Sequence, residues 1–274
     1  MSRPLANVAT FAAPEQSSTS GTVSKALRVL EAAAQEGRAV RFVELQNALP
    51  YPKSTLHRML RTLVAENMLE FDEEQHTYRP GLRLVRLAHA AWADASLATT
   101  ARDALDWLAE GLRETVHLGV LDNAQVLYVD KRTGDYRMSL YASVGKVGPA
   151  YCTGIGKAML SALSGNDLEN ALSRQAFHRY TPQTITDAAR LRADLKTCRE
   201  RGYSLDLEEH EPGVICIAVP IVSGSGDLLG GLSMTNHTHL AAVDDLEQQL
   251  PRLKQAADDI ARQAEYRMLA GSQG

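Results

Sequence analysis

From Pro52 to Glu66 the apolar residues Leu56, Met59, Leu60, Leu63 and Val64 recur at i, i+3, i+4, i+7 and i+8. That is the spacing of one face of a helix. The polar residues Ser54, His57, Arg58, Arg61 and Thr62 fall on the other face. Pro52 suits a first helical turn, where its missing N–H is not needed. Lys53, Arg58 and Arg61 are cationic, and no acid interrupts the run from Lys53 to Thr62. Such a helix buries one side and offers hydroxyls, an imidazole and guanidiniums on the other. That inventory holds phosphates and reads base edges in a major groove. Taken alone, the stretch is equally well an ordinary amphipathic helix with a solvated basic face.

The flanking pattern shifts the balance. From Thr22 to about Glu36, Val23, Ala26, Leu27, Leu30, Ala33 and Ala34 repeat at helical spacing, and Gly37 stops the run. A shorter helix is expected over Arg41 to Leu49, carrying Phe42, Leu45 and Leu49, and Pro50-Tyr51-Pro52 turns tightly into the basic helix. Helix, short helix, turn, basic helix is the helix-turn-helix order. The period then changes to that of a hairpin, Met68–Phe71 and His76–Arg79 about the turn Asp72–Gln75. This is a wing with an acidic tip, Asp72, Glu73 and Glu74, which repels phosphates; His76 and Arg79 are the better wing contacts.

Pro80-Gly81 punctuates, and an Ala-rich helical region runs on to about Leu112. We read it as a linker helix followed by the first helix of a second domain that begins near Thr100. Ala90, Ala91, Trp92 and Leu97 are apolar enough to pack on a second copy of the chain or on the second domain. Further on, strands are expected at 114–121, 125–130, 137–142, 202–207, 213–219 and 228–235. Helices are expected at 154–163, 168–172, 188–201 and 241–269. Helices flanking a mostly antiparallel sheet make an α+β domain. The division is thus an arm over 1–20, rich in Ala, Ser, Thr and Pro and expected to be disordered, a winged helix-turn-helix over 21–81, a linker helix over 82–98 and an α+β domain over 99–270.

The 274 residues suit about two domains, with 45% hydrophobic and 23% charged residues as in a globular protein. A net charge of −4 means that any nucleic-acid surface must be local. Cys152, Cys198 and Cys216 are odd in number and far apart, so neither a zinc ribbon nor a disulfide framework is supported, and a reducing cytoplasm fits. No run of apolar residues is long enough for a membrane span, and the N-terminus has no basic-then-apolar leader.

Chemistry beyond the basic helix is sparse. Gly154-Ile155-Gly156 opens a helix, whose unpaired N–H groups attract carboxylate or phosphate; more often such a start is a plain turn. Tyr151 and Ala158 break the phosphate-loop pattern around Lys157, so nucleotide binding is not expected. Glu208-Glu209-His210-Glu211 reads as a solvated loop, and His237 with His239 lacks a cysteine or clustered acid to complete a metal site. A small-molecule enzyme with an accessory helical domain is the alternative class. No nucleophile elbow, dinucleotide fingerprint or metal-ligand spacing favours it.

The ordered set of motifs resembles the IclR family of bacterial transcription regulators. The matching stretches are Ser24–Leu30, Lys53–Arg58, Tyr78–Gly81, Glu114–Leu118, Thr153–Ala158, Gly202-Tyr203-Ser204 with Asp206 and Glu208-Glu209, and Cys216–Pro220. The resemblance implies a winged helix-turn-helix, a linker helix and a C-terminal GAF-like α+β effector-binding domain. It implies a regulator, not an enzyme, that binds a palindromic operator as a homodimer or a dimer of dimers, under a small organic-acid effector. From the residues themselves no cofactor or metal is expected. It points to Lys53, Ser54, Thr55, His57, Arg58, Arg61, His76 and Arg79 on DNA. For the effector it points to the backbone of Gly154 and Ile155, with Asp206, Cys216, Ser233 and Thr235. Val120, Leu121, Tyr128, Met138, Leu140 and Val214 are candidate walls. Without the resemblance, Cys216 reads as core filler, Ser233 and Thr235 as solvent-facing strand residues and Asp206 as part of a turn. The acidic wing tip and Pro80 before Gly81 depart from the family pattern.

Overall fold

The computed structural model describes residues 21–35, 37–95, 97–134, 140 and 142–271. The arm expected over 1–20 lies outside them. The chain divides between Ala95 and Ser96 into two units, three residues before the 98/99 boundary read from the pattern.

The N-terminal unit runs α1 (Thr22–Gln35), β1 (Val40–Arg41), α2 (Phe42–Ala48), α3 (Lys53–Ala65), β2 (Leu69–Asp72), β3 (Thr77–Pro80) and α4 (Leu82–Ala95). Its core joins Val29, Leu30 and Ala33 of α1 to Leu45 of α2 and to Leu56, Met59, Leu60 and Leu63 of α3. These are the periodic apolar positions, buried as helical spacing requires. Pro52 stands just ahead of α3 as its N-cap, not inside its first turn. The wing has a third strand: β1 pairs with β3, Val40 opposite Tyr78, giving the order β1-β3-β2. A two-residue strand has no alternation to read. The acidic tip has a structural use, since Oδ1 of Asp72 accepts from the N–H groups of Glu74 (3.0 Å) and Gln75 (2.9 Å) and closes the turn. The side chain of Trp92, offered as a packing residue, lies outside the described residues.

The C-terminal unit runs α5 (Leu97–Ala109), β4 (Thr115–Asp122), β5 (Gln125–Arg132), β6 (Val147–Pro149), α6 (Gly154–Ala162), α7 (Gly165–Ser173), α8 (Ala188–Arg201), β7 (Ser204–Leu207), β8 (Val214–Val222), β9 (Leu228–His237), α9 (Val243–Gln248) and α10 (Leu250–Gly271). Its six strands lie in the order β6-β5-β4-β9-β8-β7, and every neighbouring pair is antiparallel. One face, with Val116 and Leu118, Ile215 and Ile217, Leu232 and Met234, packs with α5 and α10. The other face is covered by α6, whose Ile155, Ala158 and Met159 meet Val126, Tyr128 and Ala218. Because both faces are covered, β4, β8 and β9 are buried nearly throughout.

Two expectations about this unit change. Of the strand expected at 137–142, residues 137–139 and 141 lie outside the described residues, and Leu140 and Ala142 are not in a strand. The edge strand is β6, paired to Gln125–Leu127. The single C-terminal helix is two, because Pro251 lacks an N–H and fits only in the opening turn of a new helix, α10.

Candidate functional site

The register of the large sheet assembles the site. Thr115 on β4, Thr235 on β9, Cys216 on β8 and Asp206 on β7 stand in one row across four strands. Two residues along, His117, Ser233, Ala218 and Ser204 form the next row. Side chains two apart share a face, and Ala218 packs with α6, so both rows turn toward that helix. The start of α6 is pressed onto them. The Ser204 hydroxyl donates to the Gly154 carbonyl at 2.6 Å, and a Cβ on Gly154 would stand 2.7 Å from Sγ of Cys216. Only a glycine admits this approach. Thr153, the N-cap, gives its hydroxyl to the Pro149 carbonyl at 2.7 Å and makes no side-chain cap. The first N–H groups of the helix therefore lack an intrahelical or side-chain cap partner.

Between helix start and sheet lies a cavity lined by Gly154, Ile155, Asp206, Cys216, Ser233 and Thr235. The six residues come from four separated segments and meet at one place. Ser233 and Thr235 are buried, not solvent-facing. Of the candidate walls, Tyr128, Leu140 and Val214 line the cavity. Val120 and Leu121 pack instead in the cores on opposite faces of the sheet, and Met138 lies outside the described residues. His117, Thr153, His210 and Glu211 also line the cavity and were not assigned to it from the sequence. The signal for His117 was present, since it sits two residues from Thr115 in an alternating strand. Its partner, Ser233, is set only by register.

The charges in and behind the cavity follow from burial. Asp206 is buried, and that, with the nearby Glu209 charge, pushes its carboxyl up to about 7. The N–H of Glu209 donates to it at 2.8 Å. Burial likewise pushes the Cys216 thiol up to about 12, although the Thr235 and Ser233 hydroxyls pull the other way. Cys216 is therefore a neutral thiol near neutral pH. His117 moves down to about 3, chiefly by burial and then by the Lys131 charge.

The segment Glu208–Glu211 is not a solvated loop. Glu209 is 7% exposed. It pairs with Lys157, whose Nζ also lies 3.1 Å from Asp194. Burial opposes the Lys157 charge, but Glu209 and Asp194 outweigh it and raise its pKa. The hydroxyls of Thr181 and Thr184 donate to the carbonyls of Glu208 (2.7 Å) and Glu209 (2.6 Å). These bonds fix the strip that brings His210 and Glu211 to the cavity. His237 and His239 stack at 5.3 Å, and no group of potential metal ligands occurs among the described residues.

In the N-terminal unit, α3 exposes Lys53, Ser54, His57, Arg58 and Arg61, while Thr55 is half-buried. The His57 ring stacks on Phe42 of α2 at 4.1 Å, which fixes its direction. Among the described residues no acid pairs with Lys53, Arg58 or Arg61, in contrast to Arg79 and Arg83. Arg79 is exposed but grips Glu70 through two nitrogens, at 2.9 and 2.6 Å. A phosphate would have to compete with that pair. His76 is exposed at the tip with φ of 52°. No helix of the described residues is long and apolar enough to cross a membrane.

Comparison with known proteins bears on both units. The family model for the IclR helix-turn-helix domain matches residues 22–73, and that for the C-terminal domain of the bacterial transcriptional regulator IclR matches 89–262. The chain is 31% identical over 252 residues to the HTH-type transcriptional regulator KdgR of Escherichia coli, covering 92% of this chain and 95% of that one. It is 29% identical over 245 residues to XynR of the same organism, covering 89% and 97%. An IclR homolog from Microbacterium hydrocarbonoxydans, solved in complex with 4-hydroxybenzoate, superposes with a TM-score of 0.76 at 27% identity. That match covers 90% of this chain and all of the other.

Proposed function

The chain belongs to the IclR family of bacterial transcription regulators, and from that premise we propose which surfaces perform its regulation. It is a ligand-responsive DNA-binding regulator. Its α3 enters the major groove of a palindromic operator, with Lys53, Ser54, Thr55, His57, Arg58 and Arg61 on or beside the DNA. His76 and Arg79 sit at the flanking backbone. The effector is a small organic acid held in the cavity between α6 and the sheet. The observation that carries this reading is that Gly154 and Ile155 at the α6 start line one cavity with Ser233 and Thr235. Unpaired donors at a helix start favour an anion, and charge-assisted bonds to a carboxylate are the stronger kind. The 4-hydroxybenzoate bound by the Microbacterium homolog is an acid of this class.

A thermal-shift screen of small organic acids tests the cavity, because a ligand selective for the native state raises its melting temperature. An acid that stabilises the protein and shifts its operator affinity is the expected outcome. An acid that stabilises Ser233→Ala/Thr235→Ala as well as wild type would put the effector elsewhere.

A further inference from the structure

The row that carries Ser233 continues to the far side of the cavity. Ser233 on β9 stands across from His117 on β4, and His117 stands across from Lys131 on β5. Directly opposed residues share a face of the sheet, so Lys131 turns toward α6 as Ser233 does. Two strand spacings, about 10 Å, separate the two residues along the row. The long lysine stem closes part of that span. Its Nζ donates at 3.2 Å to the carbonyl of Ala142, a residue that lines the cavity.

An ammonium has three N–H donors, and the Ala142 carbonyl takes one. Among the described residues Lys131 joins no ion pair. Its charged neighbours are Glu211 and Lys146. Glu211 lines the cavity, and its Oε1 lies 3.7 Å from Nδ1 of His210. Two lysines against one acid leave this rim positive on balance. Lys131 is half-buried, so an anion can reach it. Midway along the row, Nε2 of His117 is buried with no hydrogen-bond partner, on a residue that lines the cavity. Buried polar atoms are rarely left so. This one marks the wall between Ser233 and Lys131 as a surface for a polar ligand, whichever ring nitrogen holds the proton. The cavity thus has two ends that suit an anion, the α6 start with Ser233 and Thr235, and Lys131.

We propose that the effector is a dicarboxylate, with one carboxylate at the α6 start beside Ser233 and Thr235 and the second held by Nζ of Lys131 at the rim. Lys131 is then the residue that selects diacids over monoacids of the same chain length. The proposal rests on the organic-acid reading above and names the class of acid. A charge-assisted bond to the second carboxylate is stronger than a neutral one, whereas the methyl end of a monoacid offers the ammonium nothing.

The test uses the full chain near neutral pH, where both carboxyls of a diacid are ionised. Acids are paired by length: succinate with butyrate, glutarate with pentanoate, adipate with hexanoate. Affinities are measured by titration calorimetry, and melting temperatures confirm that each variant folds. In the pair that binds, the diacid is expected to bind about tenfold or more tightly than the monoacid. Lys131→Met keeps an apolar stem without the charge and should bring that ratio to about one. Lys131→Arg keeps a cation and should retain most of the preference. Lys131→Gln, whose amide can still donate to the Ala142 carbonyl, decides the matter if the Met variant does not fold. Lys146→Met removes a neighbouring charge and should leave the ratio standing; a ratio erased there as fully as in Lys131→Met would make the preference a general field effect and overturn the assignment. A monoacid bound as well as its diacid, or a preference that survives in Lys131→Met, would also overturn it while sparing the organic-acid reading. If no acid of any pair binds wild type, that reading falls and this proposal with it.

Discussion

Asp206 is a carboxyl whose charge the fold disfavours. It titrates near 7 in the folded chain against an ordinary 3.8. Between those values the folded state holds a proton that the unfolded state has lost. Its contribution to stability is therefore fully present below the unfolded value, falls as pH rises through the window and is level above about pH 7. Asp206→Asn removes this titration while keeping an acceptor for the Glu209 N–H. The variant should gain on wild type from about pH 4 to about pH 7 and then hold a constant lead of roughly 2–4 kcal/mol. Urea unfolding across that range measures it, and a difference independent of pH would clear Asp206 of the role. The depressed His117 acts in the opposite sense, losing stability as pH falls from 6.5 toward 3. It is common to both proteins and cancels in the difference. On α3, Arg58 and Arg61 pair with no acid among the described residues. Arg58→Ala or Arg61→Ala should cost about 1–3 kcal/mol on operator if the guanidinium reads a guanine. A phosphate contact would weaken operator and scrambled duplex alike. Unchanged binding to both would remove α3 from the interface.

At the scale of elements, the site depends on how closely α6 sits on β8. Gly154→Ala places a Cβ 2.7 Å from Sγ of Cys216, so helix and strand must part. Overpacking of this kind costs about 1–3 kcal/mol. Cys216→Ala removes the sulfur that is struck. The double variant should therefore be more stable than the sum of the single changes, by about 0.5–3 kcal/mol. Strictly additive losses in chemical unfolding would show that the two elements do not meet as described. In the N-terminal unit, β1 does comparable work on a smaller scale, pairing Val40 with Tyr78 and Arg41 with Thr77. It joins the chain just ahead of α2 to the wing.

At the scale of the whole molecule, one winged helix-turn-helix reads a short half-site, so a palindrome calls for two chains related by a two-fold axis. Leu82, Val85 and Leu87 of α4 are exposed apolar side chains, and the stretch from Leu87 to Leu97 is our candidate contact. Sedimentation at micromolar concentration should find a dimer or a larger even assembly, and a monomer alone would rule the contact out. An effector alters operator affinity only through unequal affinity for the DNA-competent and DNA-incompetent states. Ser233→Ala/Thr235→Ala should therefore abolish the effector response and leave operator binding in its absence intact. Titrating effector into the protein–operator complex, wild type beside variant, reads this directly. A midpoint unchanged by the two substitutions would move the regulatory site away from β9.

The sequence by itself determined the elements whose spacing repeats. The apolar positions of α1 and α3 are the core of their unit, because a helix on a surface must bury one face and its period shows which. It also determined the family, through motifs kept in order along the chain, and with the family the six residues that meet at the cavity. Their meeting was not legible in the residues alone. Strand register has no local signature, and a slip of one residue would turn Ser233 and Thr235 to the other face. For the same reason Asp206 and Glu209 looked like turn and surface residues, although they are buried, Glu209 against Lys157, which lies far from it in sequence. Tertiary structure alone decided that Arg79 spends its charge on Glu70 and that Asp72 closes the wing turn. It alone brought His117, on a strand that reads as ordinary β4 core, opposite Ser233 with one nitrogen unpartnered. A side chain's partners are fixed by what the rest of the chain folds against it, and that distance in space is absent from distance along the sequence.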